Sequence, residues 1–234
     1  MKVLVIASRK GGSGKTTLAG HLAVQAELTG YGQVALADTD SQGSLADWWN
    51  RREAPTPVFA QTTIADLPAD VERLRGMGMK LLVIDTPPAL SETIANVVEV
   101  SDLVVIPTRP SPHDLRSIGA TVELVEHLGK PLVFVLNSAP QRARITAEAV
   151  SVLSRHGMLA PITVHQRVGF AASMIDGRTV MELPGEVRAC EEITQLWGYL
   201  RNRLEGSTPR RALPTPVVQL ASDAVLTAAR AGRR

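Results

Sequence analysis

Cysteine is almost missing from this chain: of 234 residues, only Cys190 carries a thiol. That excludes an intramolecular disulfide framework and a thiolate-pair metal site, and it fits a reducing cytoplasm. Long apolar runs are also missing. The first apolar stretch, Val3 to Ala7, is ended by Arg9 and Lys10 well short of a signal-peptide core or a membrane span, which points away from secretion and membrane insertion. No internal repeat is visible, so a repeat architecture is set aside. Lysine disappears after Lys130. Beyond Pro140 there are 13 arginines against 8 acidic residues, whereas 12 basic and 15 acidic residues precede them. The chain thus has an acidic front and a basic back that could face a polyanion, a solvated arginine surface being the alternative.

A hydrophobic content of 44% over this length is enough for one full core. Short runs rich in Val, Ile and Leu recur at Val3 to Ala7, Val34 to Ala37, Leu81 to Ile84, Leu103 to Ile106 and Leu132 to Leu136, each too short for a helix. They read as buried parallel strands. Stretches of helical length lie between them, at Thr16 to Thr29, Ile64 to Arg75, Ser91 to Val100 and Leu115 to Leu128. The alternation predicts an α/β fold, a doubly wound and mostly parallel sheet flanked by helices, with ligands at the carboxyl ends of the strands. After Asn137 the spacing predicts a helix over Ile145 to His156, an irregular stretch around Pro161 to Gly169, and a long helix over Glu186 to Leu204. One domain over residues 1–204 is expected, then a Pro-rich linker over 205–216. Residues 217–234 form a tail with Val217, Leu220, Ala221, Ala224, Val225 and Ala228 at the spacing of a short amphipathic helix.

The strongest local signal is Lys10-Gly11-Gly12-Ser13-Gly14-Lys15-Thr16-Thr17, placed after the first strand and opening the first helix. Phosphate binding needs inward-pointing backbone N–H groups on an unobstructed loop, followed by the positive end of a helix. Gly11, Gly12 and Gly14 permit that loop. Lys15 can reach the β- and γ-phosphates, and the Thr16 hydroxyl can ligate magnesium. A chance match of this kind arises on the order of 10⁻⁷ per starting position at ordinary residue frequencies. The loop departs from the common P-loop pattern: Arg9 stands where its first glycine belongs, and Lys10 adds a second lysine.

That departure resembles the deviant Walker A loop of the ParA/MinD family of ATPases, and the likeness extends from Lys2 to about Leu204. The resemblance implies ATP and magnesium as cofactors, an ATP-dependent homodimer, and for Lys10 a reach across that dimer to the partner's phosphates, like an arginine finger supplied in trans. The segment Asp38-Thr39-Asp40-Ser41-Gln42-Gly43-Ser44-Leu45 is similar to the family's aspartate-rich switch, which gives Asp40 the orientation or activation of the attacking water and Asp38 support of magnesium or lysine. A spacing of two puts both on one face while the chain stays extended; the alternative is that one of them only shapes the turn before a helix near Ser44. Asp85 ends an apolar strand, the Walker B arrangement that holds magnesium. Asn137 ends the fifth strand run. The resemblance places the adenine contact there, with a turn-forming asparagine as the alternative.

ParA-type members bind nonspecific DNA on the nucleoid as ATP dimers and are released when a ParB-like or cargo-bound partner stimulates hydrolysis. Arg167, Arg188, Arg201 and Arg203 are the candidate DNA contacts. Since the chain starts at the first strand, no helix-turn-helix domain is expected ahead of it. A MinD-like membrane ATPase is the rival reading, but the tail's polar positions Gln219, Ser222, Asp223 and Thr227 are not basic, and it holds no Trp or Phe anchor. An iron-sulfur donor would need more cysteine than Cys190. A tyrosine autokinase would need a tyrosine-rich tail, whereas only Tyr31 and Tyr199 exist. A metabolic ATP-dependent enzyme with the same loop remains a third reading.

Overall fold

The computed structural model describes residues 1–88 and 92–206. In chain order these form β1 (Lys2–Ile6), α1 (Lys15–Leu28), β2 (Val34–Asp38), α2 (Ser44–Asn50), β3 (Val58–Phe59), α3 (Leu67–Gly76), β4 (Leu81–Asp85) and α4 (Glu92–Glu99). They continue with β5 (Leu103–Thr108), α5 (Pro112–Ser117), α6 (Gly119–His127), β6 (Leu132–Ala139), α7 (Arg144–His156), β7 (Leu159–His165), α8 (Val168–Ser173), a 3₁₀ turn (Val180–Glu182) and α9 (Val187–Leu204). The linker from residue 207, the tail and the start of the helix expected at Ser91 fall outside the described residues.

All pairings among the seven strands are parallel, in the order β3-β2-β4-β1-β5-β6-β7. The inner strands are buried on both faces, which is why their sequences run apolar without alternation. The chain winds outward from β1 in both directions, so the sheet reverses strand order beside β1, and the crevice at its carboxyl end is where such sheets bind ligands. One core layer lies under α1, α2 and α9, the other under α3, α4, α6 and α7. Helix α1 is buried over most of its surface, from Leu18 to Ala26, because α2 and α9 cover what the sheet does not. Gly20 makes that closeness possible: a Cβ there would lie 3.2 Å from the Trp48 ring of α2.

Two expectations need correction. The stretch over Pro161 to Gly169 is not irregular; it holds the edge strand β7 and the start of α8. An edge strand is half exposed and tolerates Pro161, so neither an apolar run nor the absence of proline marks it. The helix expected over Leu115 to Leu128 is two, α5 and α6, meeting at Ile118.

Candidate nucleotide site

The loop between β1 and α1 wraps the carboxyl end of the sheet. Gly12 and Gly14 adopt φ values of 72° and 91°, the left-handed region that side chains disfavour, and Gly14 caps the amino end of α1. Gly14 also has no room for a side chain, since a Cβ would sit 2.2 Å from Asn137 Nδ2. That amide donates to the Ser13 carbonyl over 2.7 Å, so β6 holds the loop through one buried contact. Asn137, expected at a base edge, borders the pocket, with one of its two amide N–H groups donated to the loop backbone.

Lys15 and Thr16 line the space above the loop, with Asp85 buried behind them. The Thr16 hydroxyl donates to Asp85 Oδ2 over 2.5 Å, which brings together two of the residues expected at the magnesium. Asp85 Oδ1 accepts the Thr86 N–H over 3.0 Å. Asp85 is almost wholly buried, and burial pushes its carboxyl pKa up to about 7 against the opposing pull of Thr16 and Lys15. The Lys15 ammonium is driven the other way: burial lowers its pKa while Asp85 and Asp40 hold it up. A carboxylate and an ammonium that each find their charged state disfavoured, with a hydroxyl beside them, are matched by a divalent cation and a polyanion arriving together. The residues present thus fit magnesium and a triphosphate, with Thr16 and Asp85 at the metal and Lys15 and the loop amides at the phosphates.

The aspartate switch sorts its two carboxylates. Both oxygens of Asp38 accept backbone N–H groups, Oδ1 from Asp40 and Oδ2 from Leu45 and Ala46. Asp38 therefore holds the first turn of α2 and the turn before it, while β2 keeps it in register beside Asp85, the residue whose magnesium it was expected to support. Asp40 lines the pocket, steadied by the Gln42 N–H at Oδ1 over 3.0 Å. Thr39 joins this switch to the Asp85 strand, donating both N–H and hydroxyl to the Asp85 carbonyl.

The far wall of the pocket, about 570 Å³ in all, comes from the end of β7 and from α8, through His165, Gln166, Arg167 and Phe170. Glu192 of α9 organises it, accepting the His165 N–H, facing His165 Nδ1 over 2.8 Å, and pairing with the Arg167 guanidinium over 2.5 Å. Burial alone would raise the Glu192 pKa, but Arg167 and His165 hold it below the usual range, and Glu192 raises that of Arg167. Arg167 is accordingly withdrawn from the expected DNA-contact group: it is a paired wall residue. Arg188 is exposed near the start of α9, roughly 20 Å at 1.5 Å per residue from Arg201 near its end. Arg201 pairs with Glu205 and lies over the Tyr31 ring, and Arg203 is half-buried beside it.

Phe170 packs on His21 of α1, a residue that the sequence did not single out. His21 is fully buried, with Nδ1 against the Thr17 carbonyl and Nε2 accepting the Val180 N–H, and burial lowers its pKa to about 4. It is a neutral strut between the loop helix and the segment after α8. The wall residues His165, Gln166 and Phe170 also went unnoticed. A seventh strand, once recognised, would have marked them as a strand-end loop.

The family model for the CobQ/CobB/MinD/ParA nucleotide binding domain matches residues 4–180. Maintenance of carboxysome distribution protein A of Halothiobacillus neapolitanus is 30% identical over 203 residues, covering 82% of this chain and 93% of that protein. The protein of the same name from Gloeobacter kilaueensis is 44% identical over 125 residues, 52% of this chain and 55% of its own. The solved complex of a Cyanothece McdA variant with ATP shares the fold with a TM-score of 0.67 at 19% identity, over 88% of this chain and 96% of that one.

Proposed function

The chain belongs to the CobQ/CobB/MinD/ParA nucleotide-binding family and is an ATPase with ATP and magnesium as its cofactors, and from that premise we propose that it is a ParA-type positioning ATPase. In this reading ATP joins two copies, the dimer binds nonspecific DNA, and a cargo-bound partner stimulates hydrolysis to release it. The names of the relatives above, which concern carboxysome distribution, favour a large protein body as cargo over a plasmid or chromosome.

The observation that carries the reading is Lys10. It stands at the mouth of the loop, where its backbone N–H bonds Ser8 Oγ, and among the described residues its ammonium enters no ion pair. A cation left available there suits a phosphate presented by a second copy. Lys15 and the amides of the glycine loop bind and orient the triphosphate. Thr16 and Asp85 hold magnesium, which when bound supplies charge neutralisation at the transferring phosphoryl group. Asp40 accepts a hydrogen bond from the attacking water and holds it in line, and Asp38 keeps Asp40 in place by capping α2. Arg201 and Arg203, with Arg188 at the other end of α9, are the DNA contacts of this proposal.

The test is binding of Asp40→Ala protein to random-sequence DNA with ATP and with ADP across a salt series. ATP-only binding that weakens steeply with salt is expected, as phosphate contacts require. Binding in neither state would refute the DNA step and turn attention to a membrane surface or a small-molecule substrate.

A further inference from the structure

A second concavity, about 400 Å³ in volume, runs along α9 and shares no lining residue with the nucleotide pocket. Leu183, Val187 and Cys190 give it an apolar floor, and Glu186 and Glu191 an acidic rim. Val187 is 64% exposed, and Val168 at the start of the neighbouring α8 is 84% exposed. The Glu186 side chain lies over α8 here, since a Cβ on Gly169 would lie 2.2 Å from the Glu186 carboxyl carbon. The opposite face of α9, with Ile193, Leu196, Trp197 and Leu200, is already buried in the core. Burial pushes the Cys190 thiol pKa up, and Glu186 and Glu191 add to the effect, so both carboxylates bear on the groove floor.

We propose that this groove is the docking site for the chain's own residues 217–228. Reach permits it. From Leu204 back to Glu191 is about 20 Å along the helix axis at 1.5 Å per residue. Residues 207–216, with Pro209, Pro214 and Pro216, span about 30 Å when extended at 3.1 Å per residue, enough to return residue 217 to the groove. Chemistry matches as well: Val217, Leu220, Ala224 and Val225 recur at the spacing that lines one side of a helix and suit the apolar floor. Arg210, Arg211 and Arg230 flank them and complement Glu186 and Glu191. Docking there covers Val187 and sets the segment beside α8, whose Phe170 borders the nucleotide pocket.

The single native thiol provides the test. In the full-length protein, a cysteine introduced in turn at Val217, Leu220 or Val225 is oxidised gently, and products are resolved on a non-reducing gel. A disulfide with Cys190 forms only if the two Cα atoms come within about 7 Å. The control carries Cys190→Ser and Leu28→Cys. Leu28 is 62% exposed and adjoins Thr29, which accepts a hydrogen bond from Trp197, a residue nearer to Gly206 along α9 than Cys190 is. An undocked segment would therefore be captured at Leu28→Cys at least as well as at Cys190. The expected result is an intramolecular product at Cys190 severalfold above the control, reduced by Val187→Asp. Equal or greater capture at Leu28→Cys would overturn the proposal, as would a disulfide-linked dimer replacing the intramolecular product, which would make a second copy the occupant.

Discussion

The two ends of the nucleotide pocket are built on opposite electrostatic plans. At the phosphate end, burial disfavours both charges: the Asp85 carboxyl is pushed up to about 7 and the Lys15 ammonium is lowered. At the far wall, Glu192 and Arg167 shift in the reverse directions because each stabilises the other's charge. The far wall is thus complete in itself, a frame assembled by folding. The phosphate end awaits charges that the protein does not contain, and its side chains are arranged for the ligand at some cost to the empty fold.

If that contrast is right, substitutions at the two ends should separate activity from stability. Lys15→Ala should abolish ATP binding in a fluorescent-nucleotide titration. Asp85→Asn should lower ATP hydrolysis by about 10²–10³-fold, typical of removing a group that stabilises the transition state. The same change should leave the melting temperature of the nucleotide-free protein unchanged or higher; a large drop would erase the comparison. The pair across the proposed dimer comes next. Asp40→Ala should bind ATP and elute as a trapped dimer in sizing chromatography, whereas Lys10→Ala should bind ATP without forming a hydrolytically active dimer. A monomeric Asp40→Ala protein or a normally active Lys10→Ala protein would count against the scheme.

Acidity separates the groups further. His21 titrates near 6.5 when unfolded and about 4 when folded, so the unfolded chain takes up more protons in that window and stability falls as pH drops through it. The loss is roughly 3 kcal/mol by pH 4. Asp85 works in the opposite sense. Its folded value of about 7 exceeds the unfolded 3.8, so its contribution is present below 3.8 and is lost as pH rises through 7. In the nucleotide-free protein the two largely offset each other between pH 4 and 6.5, and Asp85→Asn should uncover the His21 slope in urea melts taken across that range. The smallest effect belongs to the far wall. Glu192→Gln should cost about 2 kcal/mol by weakening charge-assisted hydrogen bonds, while changing ATP affinity only a fewfold.

The same contrast explains what could be read from the residues alone. The phosphate end is local: Lys10 to Thr17 is one loop, and Asp85 ends an apolar run that any scan for buried strands finds. The sheet's inner strands were legible for the same reason. The far wall is assembled from separated pieces, Glu192 on α9 reaching back to His165 at the end of a half-exposed edge strand and to Arg167 at the start of α8, and no periodicity marks such a grouping. Arg167 consequently read as a candidate DNA contact. The bonds from Asp38 to α2 were hidden for a geometric reason, since a spacing of two aligns side chains only while the strand continues, and β2 ends at Asp38 itself. Asn137 was located at the right place on the strand, but its tie to Ser13 across 124 residues could be seen only in the fold.

That tie also bears on kinetics. A glycine-rich loop left to itself would sample many conformations, and a nucleotide would have to wait for a suitable one or impose it. With the Asn137 amide fastened to the Ser13 carbonyl and Gly14 leaving no gap between them, the loop surrenders that freedom when the chain folds. Nucleotide capture should then be a single encounter step, linear in ATP concentration under stopped flow, and Asn137→Ala should turn it into a saturating, two-step approach.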